Sequence, residues 1–361
     1  MTFDIVVGNP PYQDKNDNPL YQYFMDVAMM LATKGVTMIT KNTWLTRYKN
    51  DMEGLRRRVI NYGLKYIRNF DKTNQVFEGA GVAVCYFNLI KGYTGKTRYE
   101  LDSGDDTGSE KESYEEKLLP DDIIYKSKEA AEAAEIRKRA DFKQYDKVMS
   151  QSTFKLGPTL SIWCNKSNGI INSSNEPTDK FSIAIATLPD KSFKFKYTSL
   201  NELKSIKTRK DKLSLTEDQL EKLSTDIIPG YEYINKYKVI CGHILHTSKN
   251  VITNIHILKP GQIYCESFAA LAIVDTYEEA LKIEKYIKTK FFRYLVSLAL
   301  SDGTNTAGNN FFRFVPAIET INDSKVDWNA SIEEINRKLC VDEYKLSKDC
   351  IDSIDKNIDS I

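Results

Sequence analysis

With 361 residues, 41% of them hydrophobic and 11% aromatic, the chain is long enough for two domains and too apolar to be disordered. Lys and Arg number 51 against 50 Asp and Glu, so a nucleic-acid partner has to be argued from local charge and not from the total. No apolar run approaches the roughly 20 residues that span a bilayer, and no basic start leads into an apolar leader, so the sequence reads as cytoplasmic with no membrane partner.

Residues 3–8 (FDIVVG) read as a buried strand, short, apolar and closed by Gly. Residues 19–34 place Leu20, Phe24, Val27, Ala28 and Leu31 at helical spacing, with Pro19 at the start and Gly35 as the expected stop. A strand over 36–44, an amphipathic helix over 47–62 and strands over 64–70 and 82–90 come next. Such alternation predicts an α/β layer with a largely parallel sheet. Residues 102–122, acidic and Gly/Ser-containing, read as a solvated connector, and 128–149, rich in Ala, Glu, Lys and Arg, as one helix. From 151 to about 325 short, irregular strands suggest a separate α+β domain. Ile351, Ile354, Ile358 and Ile361 form one stripe of a helical tail. The domains expected are therefore 1–100, the connector 101–150, 151–325 and 326–361.

Between the first strand and helix stands Asn9-Pro10-Pro11-Tyr12. Proline fixes φ and donates no N–H, so such a loop is stiff and its carbonyls are not consumed by local turns. The Asn9 side-chain oxygen and the Pro10 carbonyl offer two acceptors to an exocyclic amino group, and Tyr12 offers a ring to stack on a base. A base recognised on face and edge at once has to leave the duplex.

VVGNPPY resembles the catalytic motif of the adenine-N6 DNA methyltransferases of restriction–modification systems. Leu20-Tyr21-Gln22-Tyr23-Phe24, then Asn42-Thr43-Trp44-Leu45, Gln75-Val76-Phe77, Phe311-Phe312-Arg313-Phe314-Val315-Pro316 and Asp327-Trp328 are similar to that family's later elements, in order. The resemblance covers residues 1–95 and about 285–355. It implies a partial class I (Rossmann-like) methyltransferase sheet followed by an α+β target-recognition domain. It also implies methyl transfer from S-adenosyl-L-methionine to N6 of a flipped adenine in double-stranded DNA. Asn9 and Pro10, with Pro11 stiffening the turn, would hold the amino group. Tyr12 and Phe77 would flank the base, and Phe24 would pack near the cofactor's adenine.

The family pattern opens with a Gly-rich cofactor loop and an acidic residue ahead of the first strand seen here. Phe77-Glu78-Gly79-Ala80-Gly81 leads into a β-rich run and not the helix such a loop requires. The sequence therefore predicts a truncated or split polypeptide, with a second chain supplying the cofactor-binding lobe. An inactive DNA-binding specificity subunit is the alternative. A restriction endonuclease, from Pro189-Asp190 and Glu202-Leu203-Lys204, ranks below both, since 201–206 reads as a capped helical turn.

Two basic runs suggest contact with phosphates. Residues 41–68 carry eight Lys or Arg, and 191–212 interleave another eight with Phe193, Phe195 and Tyr197. The second lies in the expected recognition domain, which makes Lys194, Lys196, Lys207, Arg209 and Lys210 the DNA-contact candidates. Six cysteines lie far apart with no CxxC pair, as in a reducing compartment. Cys241, His243, His246 and His256 lack the spacing of a zinc module, so no metal is expected.

Overall fold

The computed structural model describes residues 1–16, 18–47, 51–70, 76–77, 83–102, 112–118, 123–125, 127–149, 235–260, 268–300 and 305–361, with short pieces at 153, 170–172, 182–187, 194–195, 231–233 and 262–264. Two compact units divide the chain. The first holds Met1–Glu135 with residues 298–303 and 348–353; the second holds the remainder.

In the first unit β1 (Phe3–Gly8), β2 (Ala32–Lys41), β3 (Leu64–Phe70), β4 (Val84–Ile90), β5 (Thr97–Asp102) and β6 (Glu112–Glu116) form a sheet in the order β1-β2-β4-β3-β5-β6. β1 and β2 run parallel, as do β3 and β5, but β2–β4, β3–β4 and β5–β6 are antiparallel. The sheet is mixed and not largely parallel. The sequence signal is the alternation of strand and helix from β1 to β3; β4 then pairs antiparallel with both β2 and β3.

α1 (Tyr21–Leu31) and α2 (Met52–Gly63) cross over β1–β2 and β2–β3 and touch each other, so they share one face of the sheet. Tyr21, Met25 and Ala28 of α1 and Leu55 and Val59 of α2 bury with Val36, Met38, Ile67, Phe87 and Leu89 in one core. α1 ends at Leu31, earlier than Gly35 suggests. Gly35 lies inside β2, where a Cβ would stand 2.6 Å from the Leu89 carbonyl oxygen; it permits close strand approach and is no helix stop. Gly63, with φ +128°, does turn the chain from α2 into β3.

The connector also departs from expectation. Glu112–Glu116 is a strand on β5, so part of the acidic stretch is structured. The helix expected over 128–149 is only α3 (Lys128–Ala134) with a 3₁₀ turn to Lys138. Ser127 caps it by accepting from the Ala130 N–H. Downstream, distant backbone partners win over helix propensity. Tyr145 N–H donates to the Val315 carbonyl at 2.8 Å, Ala317 N–H to Lys143 at 2.7 Å and Met149 N–H to Ala270 at 2.7 Å.

In the second unit β7 (Ile170–Asn172), β8 (Ser182–Thr187), β9 (Lys194–Phe195) and β13 (Gln262–Tyr264) pair antiparallel around β8. β10 (Tyr237–Gly242), β12 (His256–Leu258) and β14 (Phe268–Val274) form a three-stranded antiparallel sheet under α4 (Tyr277–Lys288). Beside it lies β11 (Ile244–Leu245), paired with β15 (Asn305–Thr306). α5 (Lys290–Ser297) succeeds α4 at once. Tyr145, Tyr286 and Phe292 meet edge to face with ring centroids 5.4 and 4.9 Å apart. Phe312, Phe314 and Val315 of the FFRFVP run are fully buried, and the Tyr286 hydroxyl donates to the Pro316 carbonyl at 3.0 Å. The tail comprises α6 (Ile332–Lys338), a π turn (Leu339–Glu343) and α7 (Lys348–Asn357). Ile354 and Ile358 are buried, whereas Ile361 is exposed and leaves the stripe.

Candidate functional site

Strand directions decide which loops meet. β1 and β2 are parallel, β4 is antiparallel to β2, and β3 is antiparallel to β4. The ends of β1, β2 and β3 and the start of β4 therefore lie on one side. Asn9–Tyr12, Asn42–Leu45 and the β3–β4 connection carrying Phe77 all emerge there. Ligands of α/β sheets collect outside the carboxyl ends of strands.

Asn9 is exposed, Pro10 buried, Pro11 exposed and Tyr12 half-buried. The residues after Tyr12 pin this loop from behind. Leu20 N–H donates to the Tyr12 carbonyl at 3.1 Å, and Gln13 bridges Pro19 antiparallel. Inside that small hairpin Asp14 accepts from the Asn16 and Asn18 N–H groups at 2.8 and 2.9 Å. Lys41, at the end of β2, donates to Gln13 Oε1. Among the described residues none bonds the Asn9 amide. Its oxygen stands on an anchored loop, and no described residue satisfies it. Among the described residues the buried Tyr12 hydroxyl has no hydrogen-bond partner, and burial, with the nearby Cys85 thiol, raises its pKa above the usual phenol value. It stays a neutral ring at physiological pH.

Under the loop lies a hydrogen-bonded floor. Tyr21 Oη meets Thr43 Oγ1 at 2.8 Å, Trp44 Nε1 donates to Thr40 Oγ1 at 3.1 Å, and Asn42 Nδ2 donates to Asn69 Oδ1 at 2.9 Å. Arg56, buried on α2, donates to the Trp44 carbonyl at 2.8 Å and so fixes the turn after β2. Cys85 is fully buried, which pushes its thiol up to about 12 and leaves it inert as a nucleophile. The Asn42-Thr43-Trp44-Leu45 run is visible in the sequence. Arg56 and Asn69 are not, since an Arg among basic neighbours and an Asn closing a strand give no local signal.

Phe77 is half-buried on the β3–β4 connection, and Phe24 is partly exposed near the start of α1. Both lie toward the site's side of the sheet. Of the DNA-contact candidates, Lys194 is on β9, while Lys196, Lys207, Arg209 and Lys210 lie outside the described residues, as do Asp190, Glu202 and Lys204. The first basic run is not a free cationic face. Arg56 is internal, Arg58 pairs with Asp26 and Asp51 at 2.9 and 3.0 Å, and Arg68 pairs with Asp102.

Residues 1–77 match the Eco57I restriction-modification methylase family. The resemblance to restriction–modification methylases read from the sequence is met in this segment. Over 108 residues the chain is 31% identical to a Mycoplasma pneumoniae protein described as an uncharacterized adenine-specific methylase, which is 27% of this chain and 26% of that one. The chain thus spans about a quarter of that relative. Among solved structures it is similar to the type I restriction–modification methyltransferase subunit of Streptococcus thermophilus, at 13% identity over 29% of this chain and 28% of that one, TM-score 0.25. It is also similar to the type IIL restriction-modification enzyme MmeI solved with DNA, at 11% identity over 98% and 53%, TM-score 0.48.

Among the described residues no helix is long and apolar enough to cross a membrane.

Proposed function

We propose that this chain holds and presents the target adenine for N6 methylation of double-stranded DNA by a restriction–modification methyltransferase. In this reading the first unit is a partial class I methyltransferase sheet, and the α+β region downstream is the target-recognition domain. What carries the reading is the unbonded Asn9 amide on a loop anchored from behind. The Asn9 Oδ1 and Pro10 carbonyl accept the two N6 hydrogens of a flipped adenine, which turns the nitrogen lone pair away from them and toward a methyl donor. Tyr12 stacks on the base, and Phe77 closes its other face. Holding the amine in this orientation supplies proximity and alignment in place of a strong external base. Lys194, Lys196, Lys207, Arg209 and Lys210 are assigned to phosphate contact in the recognition domain.

S-adenosyl-L-methionine is the methyl donor of this reading. The described residues around β1 fit only part of such a ligand. Phe24 offers an aromatic wall, but a ribose-binding carboxylate is wanting. Asp4 is bonded to Lys34 and Thr33, Asp14 to its own hairpin, and Asp26 to Arg58. The remainder of the cofactor's site belongs, in this reading, to a second lobe.

The test is transfer of labelled methyl from S-adenosylmethionine to unmethylated DNA, by the protein purified gently from its own cells with its bound partners. N6-methyladenine that disappears with Asn9→Ala is the expected result. Label on cytosine would refute the reading. Salt-dependent DNA binding without any transfer would favour the alternative, a specificity subunit, which the engaged carboxylates around β1 also accommodate.

A further inference from the structure

Beneath the Asn9–Tyr12 loop two buried polar atoms have no hydrogen-bond partner among the described residues: the Tyr12 hydroxyl and the side-chain nitrogen of Asn69, Nδ2. Buried polar groups are nearly always paired, because losing water without gaining a partner costs free energy. Orphans inside a working site therefore point to a contact made during function. Gln22 Oε1 is orphaned too, but Gln22 lies one turn ahead of Asp26, on the stripe of α1 that meets Arg58 of α2.

The sheet register brings the first two orphans to one place. Asn69 of β3 stands opposite Cys85 of β4, and Cys85 stands opposite Thr40 of β2. All three are fully buried, and Cys85 belongs to the core under α1 and α2, so this row faces the helices near the carboxyl ends of β2 and β3. Directly opposed residues hold their Cβ atoms about 5 Å apart. Tyr12 reaches the same row from the loop after β1, close enough to the Cys85 thiol for the two to interact electrostatically. The rest of the row is committed. Asn69 Oδ1 accepts from Asn42 Nδ2 at 2.9 Å, which fixes the amide and leaves its own N–H donors directed elsewhere. Thr40 Oγ1 is engaged with Trp44 Nε1 and Cys85, and a thiol is a weak acceptor. The spare donor of Asn69 and the spare oxygen of Tyr12 are complementary, and in the structure they are not bonded to each other.

We propose that Asn69 is a positioning residue for Tyr12: as the Tyr12 ring turns to stack on a flipped base, its hydroxyl accepts from Asn69 Nδ2. The bond sets the tilt of the ring against the base. It also satisfies two orphaned groups at once, so seating the base removes a destabilisation already present in the fold. That gain favours capture of the base and not the holding of DNA phosphates. Through the Asn42–Asn69 bond it also ties the turn after β2 to the loop after β1. The inference deepens the proposed function and rests on it, since it requires Tyr12 to stack on the base.

The experiment uses the parent, Tyr12→Phe, Asn69→Ala and the double variant, each purified gently from the protein's own cells with its bound partners. Thermal melting is measured first, without DNA. A duplex is then titrated in which the target adenine, located as N6-methyladenine in the cells' own DNA, is replaced by 2-aminopurine, whose fluorescence rises when it leaves the stack. Tyr12→Phe should raise Tm by about 2 °C or more, since it removes a buried hydroxyl that has no partner. The same variant should weaken capture of the 2-aminopurine about tenfold, with binding to a duplex lacking the site unchanged. A purely structural role would move both measurements in one direction. Asn69→Ala should weaken capture by a similar factor, and the double variant by no more than either alone. A lower Tm for Tyr12→Phe would overturn the proposal, because the hydroxyl would then be satisfied before any base arrives. Additive losses in the double variant would also overturn it, and leave the proposed function standing. If Asn69→Ala fails to fold, the two Tyr12→Phe measurements decide by themselves. A parent that binds the site without any rise in fluorescence would refute the base-holding reading itself, and this inference with it.

Discussion

Lys238 is fully buried in the middle of β10, between Leu258 of β12 and Ile273 of β14, with its Nζ donating to the Lys236 carbonyl at 2.7 Å. Burial disfavours its charged form and lowers its pKa from 10.5 to about 7. At 1.36 kcal/mol per pH unit that interval corresponds to on the order of 4–5 kcal/mol of charge-burial penalty. The direction comes from proton counts. Between pH 7 and 10.5 the unfolded chain holds a proton on this amine that the folded chain does not, so stability rises with pH across that window. Below pH 7 both states are protonated and the full penalty stands; above 10.5 both are neutral and it is gone. Lys238→Met keeps the stem and removes the amine. Whatever bonding the amine gives up, the bond to Lys236 included, the variant's stability relative to the parent should be on the order of 4–5 kcal/mol more favourable below pH 7 than above pH 10.5. The gain should shrink steadily toward pH 10. Urea unfolding of both proteins at pH 6, 8 and 9.5 measures it, and the difference between them cancels every other titrating group. A variant destabilised equally at all three pH values would refute the argument, because its loss would then be packing and not charge.

Asn9→Ala should change folding stability by less than about 0.5 kcal/mol, as expected for an exposed side chain with no partner among the described residues, while abolishing N6-methyladenine formation; a fall in Tm large enough to explain lost activity would argue against a binding role. Arg56→Met leaves the Trp44 carbonyl unpaired in the interior and should cost about 3 kcal/mol in urea unfolding, with the Asn42–Leu45 amides exchanging faster than those of β5. Gly63→Ala places a Cβ 2.0 Å from the Ile90 carbonyl oxygen at φ +128°, and should cost more than about 2 kcal/mol; a neutral result by thermal melting would show that the β3 turn relaxes freely.

Legibility in the sequence tracks the range of the interactions involved. β3 is readable at its true limits because Gly63 and the apolar run LKYIRNF are local signals. The Asn9–Tyr12 loop after β1 is legible for the same reason, and so is the turn after β2. Gly35 passes for a helix stop because its role is set by Leu89, far along the chain. The overlong helix after Ser127 fails likewise, its residues 143–149 being claimed by Val315, Ala317 and Ala270. Arg56 and Asn69 serve the site from inside the fold, and only the packed structure separates a buried arginine from the solvated ones beside it.

The position of β4 has a consequence for how the chain is made. β2 and β3 are not paired with each other; β4 is inserted between them and pairs with both. A nascent polypeptide that has emerged only as far as residue 83 therefore holds two apolar strands with a vacant slot between them. Neither Phe87 nor Leu89 is yet present to fill the core they share. Until translation delivers the seven residues of that strand, each flanking strand is a template for another chain. Ribosome pausing or premature termination before Ile90 should yield aggregate, and release beyond it soluble protein.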